Sequence, residues 1–129
     1  QMIFKLFEFT KFKIKMQIRN TSRNSILGNK IRLCDTALSK FIGLMFSKKS
    51  DTSLIFEFNH EKIVPLHMVF VFYPIDVLFL NKEKVVVELK ENFKPFTFYT
   101  PKKKSKYVIE LPNNTIKNTR TEIGDRISF

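Results

Sequence analysis

Along residues 11–19 apolar and basic positions alternate almost without fault. Phe12, Ile14, Met16 and Ile18 fall on one side, and Lys11, Lys13, Lys15, Gln17 and Arg19 on the other. A period of two with one apolar and one basic face predicts an amphipathic strand. A turn over 20–24 follows, then a second strand over 25–34 that ends at Cys34. Asp35 is placed to cap a short helix whose apolar face carries Ala37, Leu38, Phe41 and Ile42 and which Gly43 ends. Leu54, Phe56 and Phe58 then alternate with Ile55 and Glu57 as a further strand.

The segment from Ile63 to Leu80 is the most apolar, 18 residues in length. A membrane-crossing helix needs about 20 apolar residues, and this stretch holds His67, Asp76, Pro65 and Pro74 among Val, Phe and Ile. It therefore reads as two buried strands, 66–72 and 75–80, with Pro74 breaking the ladder between them. Apolar residues on both faces place these strands centrally, and no transmembrane segment is expected. A turn at 81–84 returns the chain as a strand over 85–90. The stretch 92–105 reads as a loop, 107–111 as a strand, 113–118 as a turn or a single helical turn, and 126–129 as a last strand after Gly124-Asp125. The expected fold is mainly β: a compact single-domain β-barrel or barrel-like sandwich with one or two short helices.

Composition narrows the chemistry. At 129 residues there is room for one domain, 1–129, with a core of its own. A single cysteine, Cys34, excludes an internal disulfide framework and a multi-thiolate zinc site. The three glycines are too scattered for a phosphate-cradling loop. The apolar stretch at 2–9 is punctured by Lys5 and Glu8 and shows no cleavage site, so a secretory signal is not expected and a cytoplasmic location is.

Six segments, in order, resemble the family known as domain of unknown function 192. They are Gly43-Leu44-Met45-Phe46; Leu66-His67-Met68-Val69-Phe70; Pro74-Ile75-Asp76-Val77-Leu78-Phe79-Leu80; Glu91-Asn92 with Pro95; Lys106 to Pro112; and Ile123-Gly124-Asp125-Arg126-Ile127. The resemblance covers about residues 17–129 and leaves 1–16 as an N-terminal extension. The His67-Met68 pair resembles the archaeal branch, while Ile42 stands where the family often has arginine. The resemblance implies a compact, mostly β domain of unestablished biochemical function.

The two histidines, His60 and His67, are seven apart, which fits neither one helix face nor one strand face as a shared metal site. His67 reads either as a rim imidazole bonded to a neighbour or as a general base or ligand group. Asp76 lies in an apolar run, so its carboxylate must be paired or hydrogen-bonded. One reading makes it a bulge-stabilising acceptor of backbone N–H groups, and the other pairs it with His67 as the acid–base couple of an enzyme. Met45, His67, Met68 and Asp76 are the ligand-binding candidates. A soft copper site from Cys34, Met45, His67 and Met68 is disfavoured, because adjacent residues 67 and 68 point to opposite faces of a strand. No metal or cofactor is expected.

The net charge is +11, with lysine outnumbering arginine 18 to 5. Residues 1–30 carry an excess of six positive charges and 81–106 an excess of five, bracketing a neutral centre. This suits nucleic acid or another polyanion, with Lys11, Lys13, Lys15, Lys94, Lys102, Lys103, Lys104 and Lys106 as candidates. It equally suits a solvated face in a lysine-rich composition. Phe93, Phe96, Phe98 and Tyr99 lie beside those lysines, either to stack on bases or to fold back over the core. The leading expectation is a non-catalytic module that binds a ligand or partner. Nucleic-acid binding and a His67/Asp76 enzyme are the alternatives.

Overall fold

The computed structural model describes residues 17–34 and 52–129. The expected strand over 11–16, the expected helix after Asp35, and the candidates Lys11, Lys13, Lys15 and Met45 lie outside the described residues. Within them the chain forms β1 (Ile18–Asn20), β2 (Ser25–Gly28), β3 (Ile31–Cys34), β4 (Ser53–Lys62), β5 (Leu66–His67), β6 (Ile75–Leu80), β7 (Val86–Phe93), β8 (Phe98–Tyr99), β9 (Ser105–Pro112), a helix α1 (Thr115–Thr119) and β10 (Ile127–Ser128).

Strand β6 is the centre of the architecture, and its six residues are all buried. It lies between β9 and β7 in a five-stranded sheet of order β3-β4-β9-β6-β7. Both faces of β6 are apolar because both are covered. On one side Ile18, Leu27, Ile116 and Ile127 pack over Ile55, Leu78, Leu80 and Ile109. On the other, Val64, Met68, Val71 and Tyr73 pack over Leu54, Phe56, Val77 and Phe79. A small sheet of order β10-β1-β2 contributes to the first covering layer, and the β5–β8 pair flanks the second. The described strands make a mainly β, barrel-like sandwich and do not close into a barrel. Among the described residues no helix is long and apolar enough to cross a membrane.

Two expectations are corrected. The strand expected over 25–34 is split at Asn29-Lys30: β2 pairs with β1, whereas β3 runs parallel to β4 in the other sheet. A parallel pair needs a long crossover, and residues 35–52 separate the two strands. Gly28 marks the split, since a Cβ there would stand 2.5 Å from the Ser53 side-chain oxygen. The strand expected over 66–72 is only two residues long. The chain turns after His67, with the Met68 carbonyl accepting hydrogen bonds from the Val71 and Phe96 N–H groups at 3.1 and 2.8 Å.

The first covering layer is held by a buried polar network. Asn20 donates from Nδ2 to Thr121 Oγ1 at 3.1 Å and to Asp125 Oδ2 at 2.9 Å, and its Oδ1 accepts from the Arg23 N–H at 3.2 Å. The same Asp125 oxygen accepts from Arg23 Nε at 2.7 Å and from the Glu122 N–H at 2.9 Å. Burial alone would push the Asp125 carboxyl up, but the bonds from Arg23, Asn20 and Glu122 outweigh it and hold the group below the usual range.

Candidate functional site

Asp76 lies on β6 and His67 on β5, and the Asp76 carboxylate accepts from backbone N–H groups of other elements. Asp76 is 1% exposed. Its Oδ1 accepts from the Asn92 N–H at 3.0 Å and its Oδ2 from the Ile116 N–H at 2.8 Å. Asn92 lies where β7 gains a residue against β6, with backbone φ of 49°. Ile116 is the second residue of α1, whose N-cap residue Asn114 makes no side-chain cap bond. Asp76 thus supplies from another strand the acceptor that a helix start leaves wanting, and ties it to the bulge. Both carboxylate oxygens accept from backbone N–H groups, one of them at the bulge of β7. His67 Nδ1 accepts from the Val69 N–H at 3.2 Å, and its half-buried ring lies near Phe98, centroids 6.5 Å apart.

The β5–β8 pair sorts its side chains by face. Leu66 lies opposite Tyr99, and both pack onto the core. Tyr99 sits 6.0 Å from the Phe79 ring and 6.2 Å from Phe93. His67 lies opposite Phe98, which turns to solvent at 75% exposure. Phe72 is 62% exposed, Phe96 51% and Phe70 43%. Phe96 stands edge-on to Phe72 at 5.4 Å and to Phe70 at 6.3 Å. Phe70 and Phe96 hold left-handed backbone, φ 58° and 59°, which a bulky side chain rarely adopts. The Met68 carbonyl fixes both turns, and the Met68 N–H donates to the Thr97 carbonyl at 2.8 Å. Met68 itself is buried in the core beneath.

A basic loop follows Phe98 and Tyr99 in the chain. On β7, Glu88 Oε1 accepts from the Lys102 and Lys103 N–H groups at 2.9 and 3.0 Å, while its other oxygen takes a very short bond from the Tyr99 hydroxyl. That bond, with burial, pushes the Tyr99 phenol up to about 12. The backbone of the loop is therefore seated on β7, and Lys102, Lys103, Lys104 and Lys94 are exposed. Lys62 lies opposite Ser105, next in sequence to this loop. Lys106 is placed differently: its Nζ donates to the Phe58 carbonyl at 2.7 Å and lies 3.7 Å from Glu57, closing the irregular part of β4.

Sequence reasoning placed Phe70 and Phe72 inside and did not single out Glu110. Glu110 lies opposite Leu54 on β4 and Val77 on β6, both core residues of the face covered by 64–73. Burial pushes its carboxyl from an ordinary 4.5 up to about 7, with the Arg32 guanidinium pulling the other way. Its one legible signal was a carboxylate inside the apolar run 107–111.

The profile of the family described as Uncharacterized ACR, domain of unknown function 192, matches residues 16–129. The chain belongs to that family. Its relatives include UPF0127 proteins of archaea. The chain is 34% identical to one from Thermococcus sibiricus over 112 residues, covering 85% of this chain and 72% of the relative. It is 36% identical to one from Pyrococcus furiosus over 112 residues, covering 85% and 95%. Among solved structures it is similar to a Novosphingobium aromaticivorans protein of unknown function, with a TM-score of 0.76 at 20% identity, covering 88% of this chain and 82% of that one. A Sinorhizobium meliloti protein described as a "putative transcription regulator" has the same TM-score at 22% identity, covering 87% and 89%. At such identities the likeness carries the fold alone. This member of the uncharacterised family therefore takes its functional reading from its own surface.

Proposed function

We propose that this domain is a non-catalytic binding module whose docking surface is the aromatic face around His67, with Phe70, Phe72, Phe96 and Phe98. The observation that carries the reading is the pair of exposed phenylalanines held in left-handed backbone. A bulky residue there costs on the order of 1 kcal/mol, and an exposed ring returns little of it through burial. Strain of this kind clusters where a surface is shaped for contact. Met68 and Asp76 support the surface from beneath, the first through its backbone and the second by fixing the bulge of β7.

The test needs no ligand. Phe96→Gly is expected to leave the urea midpoint unchanged or raised, since glycine takes the left-handed conformation freely. Phe98→Ser is expected to shift stability by less than about 0.5 kcal/mol. A loss above about 1.5 kcal/mol in both variants would make the rings part of the packing and overturn the reading.

A further inference from the structure

We infer that the occupant of this surface is a single-stranded oligonucleotide, with the exposed rings stacking on bases and the loop Lys102–Lys104, with Lys94, taking phosphates. The inference rests on the binding-module reading and adds the partner's chemistry to it. Three observations lead to it. The first is the mixture of chemistries: Phe96 and Phe98, each with half or more of its surface in water, sit within the segment 81–106 that carries a basic excess. An apolar protein partner would leave those lysines without a counterpart, whereas a strand of nucleic acid offers flat apolar faces and a regular row of negative charge.

The second is ring geometry. Phe96 stands at 73–75° to its neighbours, so the cluster is not a closed stack, and Phe98 lies apart from it beside His67. Bases splayed from a single strand can enter such positions, but a stacked duplex cannot open its faces to them. The third is preorganisation. Two loop N–H groups are anchored on Glu88, and both phenylalanine turns are anchored on Met68, so little ordering remains to be done on binding.

The experiment titrates the full chain into fluorescein-labelled single-stranded RNA and single-stranded DNA of equal length. Duplex DNA and anionic phosphatidylserine vesicles run alongside. If the four lysines each neutralise one phosphate, the salt slope is about −2.8, a roughly fiftyfold loss of affinity between 50 and 200 mM salt. Phe98→Ala is expected to weaken single-strand binding about tenfold, whereas Ile123→Ala, an exposed apolar change in the turn beside Asp125, leaves it unaltered. Lys103→Gln is expected to flatten the slope by about 0.7.

The RNA and DNA arms then decide which sugar is preferred, either outcome supporting the inference. Binding that falls with Lys103→Gln but ignores Phe98→Ala would reduce the effect to diffuse charge attraction and overturn it. Equal or tighter binding to duplex DNA would do the same, and so would no binding at 50 mM salt. Vesicle binding that depends on Phe98, with no oligonucleotide binding, would replace the occupant while leaving the surface reading intact. Failure of the surface reading itself appears separately, in the urea midpoints of Phe96→Gly and Phe98→Ser.

Discussion

The two sides of the central sheet handle polarity in opposite ways. Beneath β1, β2 and β10, polar groups are inside: Asn20, Thr121 and Asp125 are buried, and their bonds to one another and to Arg23 are made. Over β5 and β8, apolar groups are outside, and two of them sit in backbone that glycine would prefer. A satisfied buried network specifies one arrangement of the chain and tolerates no loss of a member. Exposed rings on strained turns add nothing comparable to folding. The first side ties distant segments together through polar bonds, and the second presents rings to water.

The largest expected effect lies on the first side. Asn20→Ala removes the donor to both Asp125 and Thr121 and the acceptor for the Arg23 N–H, and is expected to cost about 3 kcal/mol. Urea denaturation measures it, and a loss below about 1 kcal/mol would show that the network is not what joins residues 20–23 to 121–125.

An intermediate effect sets one carboxylate against another across the sheet. Asp125 is held low, so its contribution is present at neutral pH and is lost as pH falls through its folded value. Glu110 is raised to about 7, so the folded state binds the proton more tightly than the unfolded chain does. Its contribution is complete below about 4.5 and lost as pH rises through 7. Glu110→Gln is therefore expected to gain on the wild type steadily between pH 5 and pH 8 in urea midpoints, with the two converging at the acid end. Parallel curves would show that Glu110 ionises as an ordinary surface group.

The smallest effect is on the second side. Phe72→Ser, at a site 62% exposed, is expected to change stability by less than about 0.5 kcal/mol by the same measurement. A gap of several-fold between Asn20→Ala and Phe72→Ser is the quantitative form of the contrast.

Much of the fold was legible because burial leaves a pattern. The run 75–80, apolar but for Asp76, became a strand covered on both faces, and the turn at 81–84 returned the chain as expected. The same reasoning failed just before it. Val69 to Tyr73 is as apolar as β6, yet Val71 and Tyr73 point inward while Phe70 and Phe72 face water. An apolar residue outside looks the same in a sequence as one inside; only the turn after His67, fixed by contacts with residues 96 and 97, distinguishes them.

Charge is as ambiguous in a sequence. Lys106 belongs by composition with Lys102–Lys104, but it caps the Phe58 carbonyl, a partner 48 positions away. The aromatic loop divided between its two readings: Phe93 and Tyr99 fold onto the core, and Phe96 and Phe98 do not. Asp76 was half legible, since its need for partners followed from burial but their identity lay on two other elements.

The order of the strands has a consequence for how the chain is made. Strand β1 pairs Arg19 with Ser128 and Asn20 with Ile127, so among the first described residues to leave the ribosome are some of the last to find their place. A three-residue strand gains too little from β2 alone to persist. While residues 121–128 are still unmade, Ile18 and Leu27 have no layer to complete, and Asn20 has neither Thr121 nor Asp125 to meet. Folding of this side thereby waits until residues 121–128 have been made, with the long loop closure and slower docking that such distant contacts impose.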